Sequence, residues 1–179
     1  MTKEKTEQKM IIDRLNPSAD STTAVDRPEL REVVDIQQLA AELLKGEGVE
    51  YLFAVTSGTA GILETLTQKI GIPRVHFRHE QGATFAADAW GRMTRKPGVV
   101  LSAGGTAVCF ASAGICQAYS AGSPVVYIVA EDAMLHEGRY GGMGISRAEN
   151  QLKGITKWVQ KVAVNGAYLY QLKKAFRSA

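Results

Sequence analysis

Short apolar runs alternate with longer stretches of helical periodicity along most of the chain. The runs are rich in Val, Ile, Leu and aromatic residues and are bounded by Gly, Pro or charged residues, which is typical of buried strands. Strands are predicted at residues 51–55, 73–77, 99–101, 124–130 and 160–164, and helices at 39–44, through Leu63 and Leu66, and at 80–95, 107–121 and 168–176. Such repeated β-α units predict an α/β fold, a doubly wound and mostly parallel sheet with helices on both faces.

Residues 1–34 lack this pattern. They are charged and turn-forming, with Asn16-Pro17-Ser18 and Asp26-Arg27-Pro28 and no sustained apolar period. We therefore predict a polar N-terminal tail over residues 1–34 and one folded domain over residues 35–179. A domain of that length buries enough apolar surface for a single core.

The segment from Val75 to Arg92 is the most informative part of the chain. A β-branched and aromatic run meets the charged turn Arg78-His79-Glu80, and an alanine-rich stretch follows. The pattern predicts strand, turn and helix, with Glu80 in the first helical turn, where unpaired backbone N–H groups favour a carboxylate. Spacing alone leaves open an ordinary first-turn acid on a tightly packed helix.

Two other turns follow predicted strands. Residues 56–61 form a Gly-rich turn that contains Ser57 and Gly58, and residues 102–106 form another that contains Gly105 and Thr106. Ligands of open α/β sheets bind outside the carboxyl ends of the strands, so both turns are candidate walls of a site, although plain connections remain an alternative. Neither turn has the spacing of a dinucleotide or phosphate-binding loop.

Charge and cysteine content exclude several functions. The net charge is +3, and six basic residues without any acid follow Glu149. No recognised nucleic-acid module accompanies them, so a solvated helix face is favoured and no nucleic-acid partner is predicted. Cys109 and Cys116 are predicted to be buried, unpaired residues, which favours a cytoplasmic location. No apolar run is long enough for a membrane span or signal peptide.

The stretch Arg78-His79-Glu80-Gln81-Gly82-Ala83, with Gly91-Arg92 and the following Lys96-Pro97-Gly98, resembles the pyrimidine-binding domain of thiamine-diphosphate enzymes. The similar group contains acetolactate synthase, oxalyl-CoA decarboxylase and 2-hydroxyacyl-CoA lyase. The resemblance implies that Glu80 hydrogen-bonds the aminopyrimidine ring nitrogen and so promotes loss of the thiazolium proton. It also implies that His79, Gln81 and Gly82 shape the cofactor pocket.

The resemblance extends to the other two turns with departures. It places Gly105 and Thr106 at the cofactor and Ser57 and Gly58 at the substrate. Thr106 stands where the family has Pro, and Phe110 stands where it often has Asn. The family's helix pair packs against a partner subunit, which implies a homo- or hetero-oligomer.

The family binds Mg²⁺ and the diphosphate through a second domain with a Gly-Asp-Gly motif. No Asp follows a Gly in this sequence, so we expect a separate diphosphate-binding domain or subunit to supply that half. The resulting hypothesis is a lyase, carboligase or decarboxylase for 2-oxo acid or 2-hydroxyacyl substrates, incomplete as this chain alone. The alternative is a non-catalytic homologue that serves as a scaffold or regulatory partner.

Overall fold

A computed structural model describes residues 35–55, 60–132 and 147–179. The predicted tail over residues 1–34 and the turn residues Ser57 and Gly58 lie outside these ranges. The elements, in chain order, are α1 (Ile36–Gly46), β1 (Leu52–Ala54), α2 (Gly61–Lys69), β2 (Arg74–His76), α3 (Glu80–Thr94), β3 (Gly98–Ala103), α4 (Thr106–Ala121), β4 (Val125–Ala130), α5 (Ala148–Leu152) and α6 (Asn165–Ser178).

The four strands form one parallel sheet in the order β2-β1-β3-β4. The chain therefore moves outward from β1 in one direction to β2 and then crosses to β3 and β4 on the other side. Strands that are parallel and connected through helices form the doubly wound arrangement that the apolar pattern predicted. The fold prediction is confirmed.

Alternating residues of each strand face different helices. Leu52, Val99 and Leu101 belong to a core shared with α1 and α6, and Phe53 and Val100 belong to a second core beneath α3. Because successive strand side chains point to opposite faces, helices cover both sides of the sheet. This division places α3 and α4 together on one face.

The predicted fifth strand at residues 160–164 is wrong. Among the described residues nothing pairs with the outer edge of β4, and residues 160–163 have no regular structure. Side chains hold this segment instead: the Lys161 ammonium lies 3.6 Å from the Glu131 carboxylate, and Lys174 lies over the Trp158 ring. A strand-like composition forms a strand only where a neighbouring backbone pairs with it.

Candidate functional site

Helix α3 begins immediately before the residue that the sequence singled out. His79 is its N-cap, with an extended backbone, and the Gln81 N–H donates to the His79 Nδ1 over 3.3 Å. Glu80 is the first helical residue and the acid of the first turn. Its predicted position in the strand, turn and helix unit is therefore correct.

The Glu80 side chain lies on the side of α3 that faces the sheet. It is half-buried, and it precedes the buried residues Ala83 and Ala87 by three and seven positions, which places all three on one helix face. Across the ranges that the structure describes, no hydrogen bond or ion pair engages its carboxylate. A half-buried carboxylate at a helix start thus keeps its acceptor capacity for a ligand.

The second turn of the site precedes α4. Gly105 adopts φ 67° and ψ −131°, a left-handed backbone conformation that side chains disfavour, and helix α4 starts at Thr106. The Gly104 N–H donates to the Ala130 carbonyl over 3.0 Å, which ties the turn to the end of β4. Gly105 is buried and Thr106 is exposed at the helix start.

Close packing of α3 against α4 brings the two helix starts together. Gly114 lies against Thr84 so tightly that a Cβ on the glycine would be 2.1 Å from the Thr84 Oγ1. That hydroxyl contacts the Ala111 carbonyl at 3.3 Å as well as carbonyls of its own helix. Beside the helix starts, the rings of His79 and Phe110 lie 4.9 Å apart, centroid to centroid.

A buried pair of hydroxyls lies on the same face of the sheet. The Ser102 Oγ and the Tyr127 hydroxyl are 2.6 Å apart, and the serine also donates to the Ala103 carbonyl. Burial, with smaller contributions from the charges of Glu80 and Cys109, raises the pKa of Tyr127 well above its ordinary range, although the bond to Ser102 acts the other way. Tyr127 is therefore a neutral polar group within electrostatic range of Glu80.

The predicted site residues divide into two groups. His79, Glu80, Gln81 and Gly82 occupy the start of α3, and Gly105 with Thr106 occupies the start of α4. The Gln81 side chain is exposed, and Gly82 lies beside the Phe77 ring. Ser57 and Gly58 lie outside the described residues, so their positions are not assigned.

Two features of this region were not predicted from the sequence. The contact between Phe110 and His79 joins residues of two helices, and the Tyr127 pair with Ser102 joins two strands, so neither leaves a local sequence signal. The prediction of buried cysteines is wrong, because Cys109 and Cys116 are both exposed on α4. Their positions three and ten residues after Thr106 place them on the helix face that points away from the sheet.

The described parts of the chain contain neither a candidate metal cluster nor a helix that could span a membrane. No group of three or more His, Cys, Asp or Glu side chains there could hold a metal ion. No helix in those parts has the length and apolar character that crossing a bilayer requires.

Comparison with known proteins agrees with this geometry. The model of the thiamine pyrophosphate enzyme N-terminal TPP binding domain matches residues 34–155. 2-Hydroxyacyl-CoA lyase 1 of Mus musculus is 33% identical over 112 residues, which are 63% of this chain and 19% of the relative. The acetolactate synthase large subunit of Haemophilus influenzae is 36% identical over 92 residues, 51% of this chain and 16% of the relative.

The fold and the two adjoining helix starts define a parallel α/β domain of the class that binds ligands at the carboxyl edge of its sheet. The chain belongs to the thiamine pyrophosphate enzyme family and carries its N-terminal TPP binding domain. Thiamine diphosphate, the same compound, is the cofactor of this family, as the resemblance implied. The matched regions cover less than a fifth of the length of the two relatives described.

Proposed function

We propose that this chain is the pyrimidine-binding part of a thiamine-diphosphate-dependent lyase, carboligase or decarboxylase. The observation that carries the proposal is the Glu80 carboxylate, half-buried at the start of α3 and without a partner among the described residues. A carboxylate in that condition suits a ring nitrogen with which it can share a proton. Glu80 is the catalytic residue of the proposal.

The residues around Glu80 fit a flat heteroaromatic ring. Gly105 removes a side chain from the turn before α4, so a ring could approach the backbone there, whereas the space beside Gly82 is taken by the Phe77 ring. Gln81 and Thr106 present exposed polar groups at the two helix starts. When bound, thiamine diphosphate supplies a carbon nucleophile for the reaction, and the protein orients it and holds a proton at the Glu80 carboxylate.

The diphosphate and Mg²⁺ require ligands from elsewhere. Mg²⁺ prefers carboxylate and phosphate oxygens in an octahedral arrangement, and the described residues offer no acidic cluster of that kind. We propose that a further domain or subunit binds both. The match to less than a fifth of each relative is consistent with such an arrangement.

The outward face of α3 and α4 is the proposed contact with a partner subunit. Phe85, Met93 and Phe110 are exposed on it, and α4 contains no Asp, Glu, Lys, Arg or His. Exposed apolar side chains that are clustered on one face favour association. A homo- or hetero-oligomer is therefore part of the proposal, and the exposed free thiols on α4 favour a cytoplasmic, reducing location.

The substrate class follows from the relatives' names. Acetolactate synthases and 2-hydroxyacyl-CoA lyases point to a 2-oxo acid or a 2-hydroxyacyl compound. We propose Ser57 and Gly58, which follow β1, as residues of the wall that faces this substrate. The reaction type within the class, cleavage or carboligation, depends on the rest of the enzyme.

Proton exchange at the thiazolium carbon tests the role of Glu80. The assembled enzyme, with its diphosphate-binding part, is given cofactor and Mg²⁺ in D₂O, and exchange is followed by proton NMR. Glu80→Gln should still bind the cofactor but lose about 10²- to 10⁴-fold in exchange rate, because an amide does not share the proton. Glu47→Gln, an exposed change after α1, is the matched control and should exchange at the wild-type rate.

Unchanged exchange in Glu80→Gln would contradict the role of Glu80. The alternative function, a non-catalytic scaffold or regulatory partner, is favoured by Thr106 and Phe110, which depart from the family pattern at the second turn. If the chain bound no thiamine diphosphate with any diphosphate-binding domain or subunit, that result would support the alternative.

A further inference from the structure

We infer that His79 and Phe110 form a clasp that fixes the first turn of α3 and with it the direction of Glu80. In this role His79 is a positioning residue, and Phe110, which the proposed function uses only as part of an exposed apolar face, is its support. The catalytic consequence rests on the proposed function of Glu80. The structural part of the inference does not.

The cap that His79 provides is weak by itself. Its Nδ1 accepts a single hydrogen bond from the Gln81 N–H at 3.3 Å, close to the long limit for such bonds. Histidine is also outside the group of residues that commonly cap helices, namely Asn, Asp, Ser, Thr and Gly. The imidazole must therefore be held in its orientation by something else.

Phe110 supplies the missing restraint. The two rings lie 4.9 Å apart at an interplanar angle of 41°, within the range at which aromatic rings attract each other. Phe110 lies one turn into α4, and α4 is fixed to α3 by the contact of Gly114 with Thr84. The Phe110 backbone is thus fixed relative to α3, and its half-exposed ring is the surface against which the imidazole rests.

The clasp acts on the residue next in sequence. Glu80 follows His79 directly, so the backbone angles of the cap decide where its carboxylate points. Loss of the cap would let the first turn fray, since the Gln81 N–H has no hydrogen-bond partner among the described residues other than the His79 side chain, whereas the Gly82 N–H donates to the His79 carbonyl. Small displacements of a reacting group cost large factors in rate.

Amide hydrogen exchange of the 179-residue chain without cofactor tests the clasp. His79→Ala and Phe110→Ala should each speed exchange of the Gln81 amide about fivefold, the factor that corresponds to a lost cap. His79→Asn retains a side-chain acceptor and Phe110→Tyr retains the ring, so both should preserve the protection. Tyr170→Ala, which removes an exposed ring from α6, is the control and should leave Gln81 unchanged.

Unchanged Gln81 exchange in Phe110→Ala would overturn the clasp. Thiazolium proton exchange in the assembled enzyme then separates positioning from direct contact: His79→Ala should lose rate, and His79→Asn, which restores a side-chain cap, should recover most of the rate that His79→Ala loses. A loss in His79→Asn with the Gln81 protection intact would show that the imidazole itself contacts the cofactor, and would overturn the positioning role. Absence of exchange in the wild-type enzyme would refute the proposed function, whereas the amide result would still decide the clasp.

Discussion

The two sides of β4 are built differently. On the side of β3, α3 and α4, backbones are in direct contact: Gly98 lies against the Ala87 carbonyl, and Gly114 lies against Thr84. On the outer side, β4, the segment of residues 155–163 and residues of α6 line a pocket of about 340 Å³ that is open to solvent. Both regions were predicted as regular β-α units.

The difference shows how helix starts are positioned. Where glycine lets two backbones touch, the distance between them is fixed, because any closer approach makes their atoms overlap. Along the outer edge of β4, long side chains make the contacts instead: Lys161 reaches Glu131, and Lys174 of α6 reaches the Trp158 ring, and such side chains can adjust. The candidate site depends on the closely packed side, because Glu80 and Thr106 begin the two helices that are fixed there.

The largest expected effect is at Gly114. A Cβ at this position would lie 2.1 Å from the Thr84 Oγ1 and 2.9 Å from the Phe85 backbone nitrogen, so Gly114→Ala must push the helices apart. We expect a loss of about 3 kcal/mol in the free energy of unfolding, the upper part of the range for overpacked cores. Urea unfolding of the full chain, followed by circular dichroism, measures it.

Gly166 provides the matched control for this substitution. It lies in α6, where a Cβ would have no neighbour within 4 Å. Gly166→Ala should therefore be neutral or stabilising by up to about 1 kcal/mol, because alanine favours the helix. Equal stabilities for the two variants would mean that α3 and α4 are not in the close contact described.

The sequence predicted the closely packed side better than the outer edge. Four strands and the placement of Glu80 in a first turn followed from local periodicity and turn chemistry, which act within one unit. The absence of a fifth strand could not be foreseen in this way, because a strand at residues 160–164 needs a paired neighbour. The same holds for the Phe110 contact and the exposure of Cys109, which depend on how separate elements meet.

Buried tyrosines on the two faces of the sheet allow the regions to be compared by pH. Burial raises the pKa of Tyr127, beneath α3 and α4, and also that of Tyr168, which packs with the core next to α6. Above a pH of about 10 a tyrosine ionises in the unfolded state, whereas these buried tyrosines stay neutral in the folded state. Each of them therefore leaves the free energy of unfolding unchanged at lower pH and reduces it by about 1.4 kcal/mol per pH unit above that value.

Tyr127→Phe should remove the part of this decrease in the free energy of unfolding that Tyr127 causes at high pH. At pH 8 it should cost about 1 kcal/mol through the broken hydrogen bond to Ser102. At pH 11 the variant should match the wild type in unfolding free energy, since only the wild type has lost the stability that depends on Tyr127, while both lose the part that depends on Tyr168. Tyr168→Phe is the comparison on the other face. A cost of Tyr127→Phe that is the same at both pH values would mean that the Tyr127 hydroxyl ionises in the folded state as readily as in the unfolded state.

The smallest expected effect is at the outer edge of β4. The Lys161 ammonium and the Glu131 carboxylate are 3.6 Å apart and partly exposed, so solvent and salt screen their attraction. Lys161→Met should reduce the free energy of unfolding by about 0.5 kcal/mol, and 0.5 M salt should abolish the difference. Lys173→Met on α6, an exposed lysine that makes no ion pair within the described residues, is the control. A loss above about 2 kcal/mol would exceed what an exposed pair provides, and would indicate that residues 158–163 dock on β4 as firmly as α3 docks on α4.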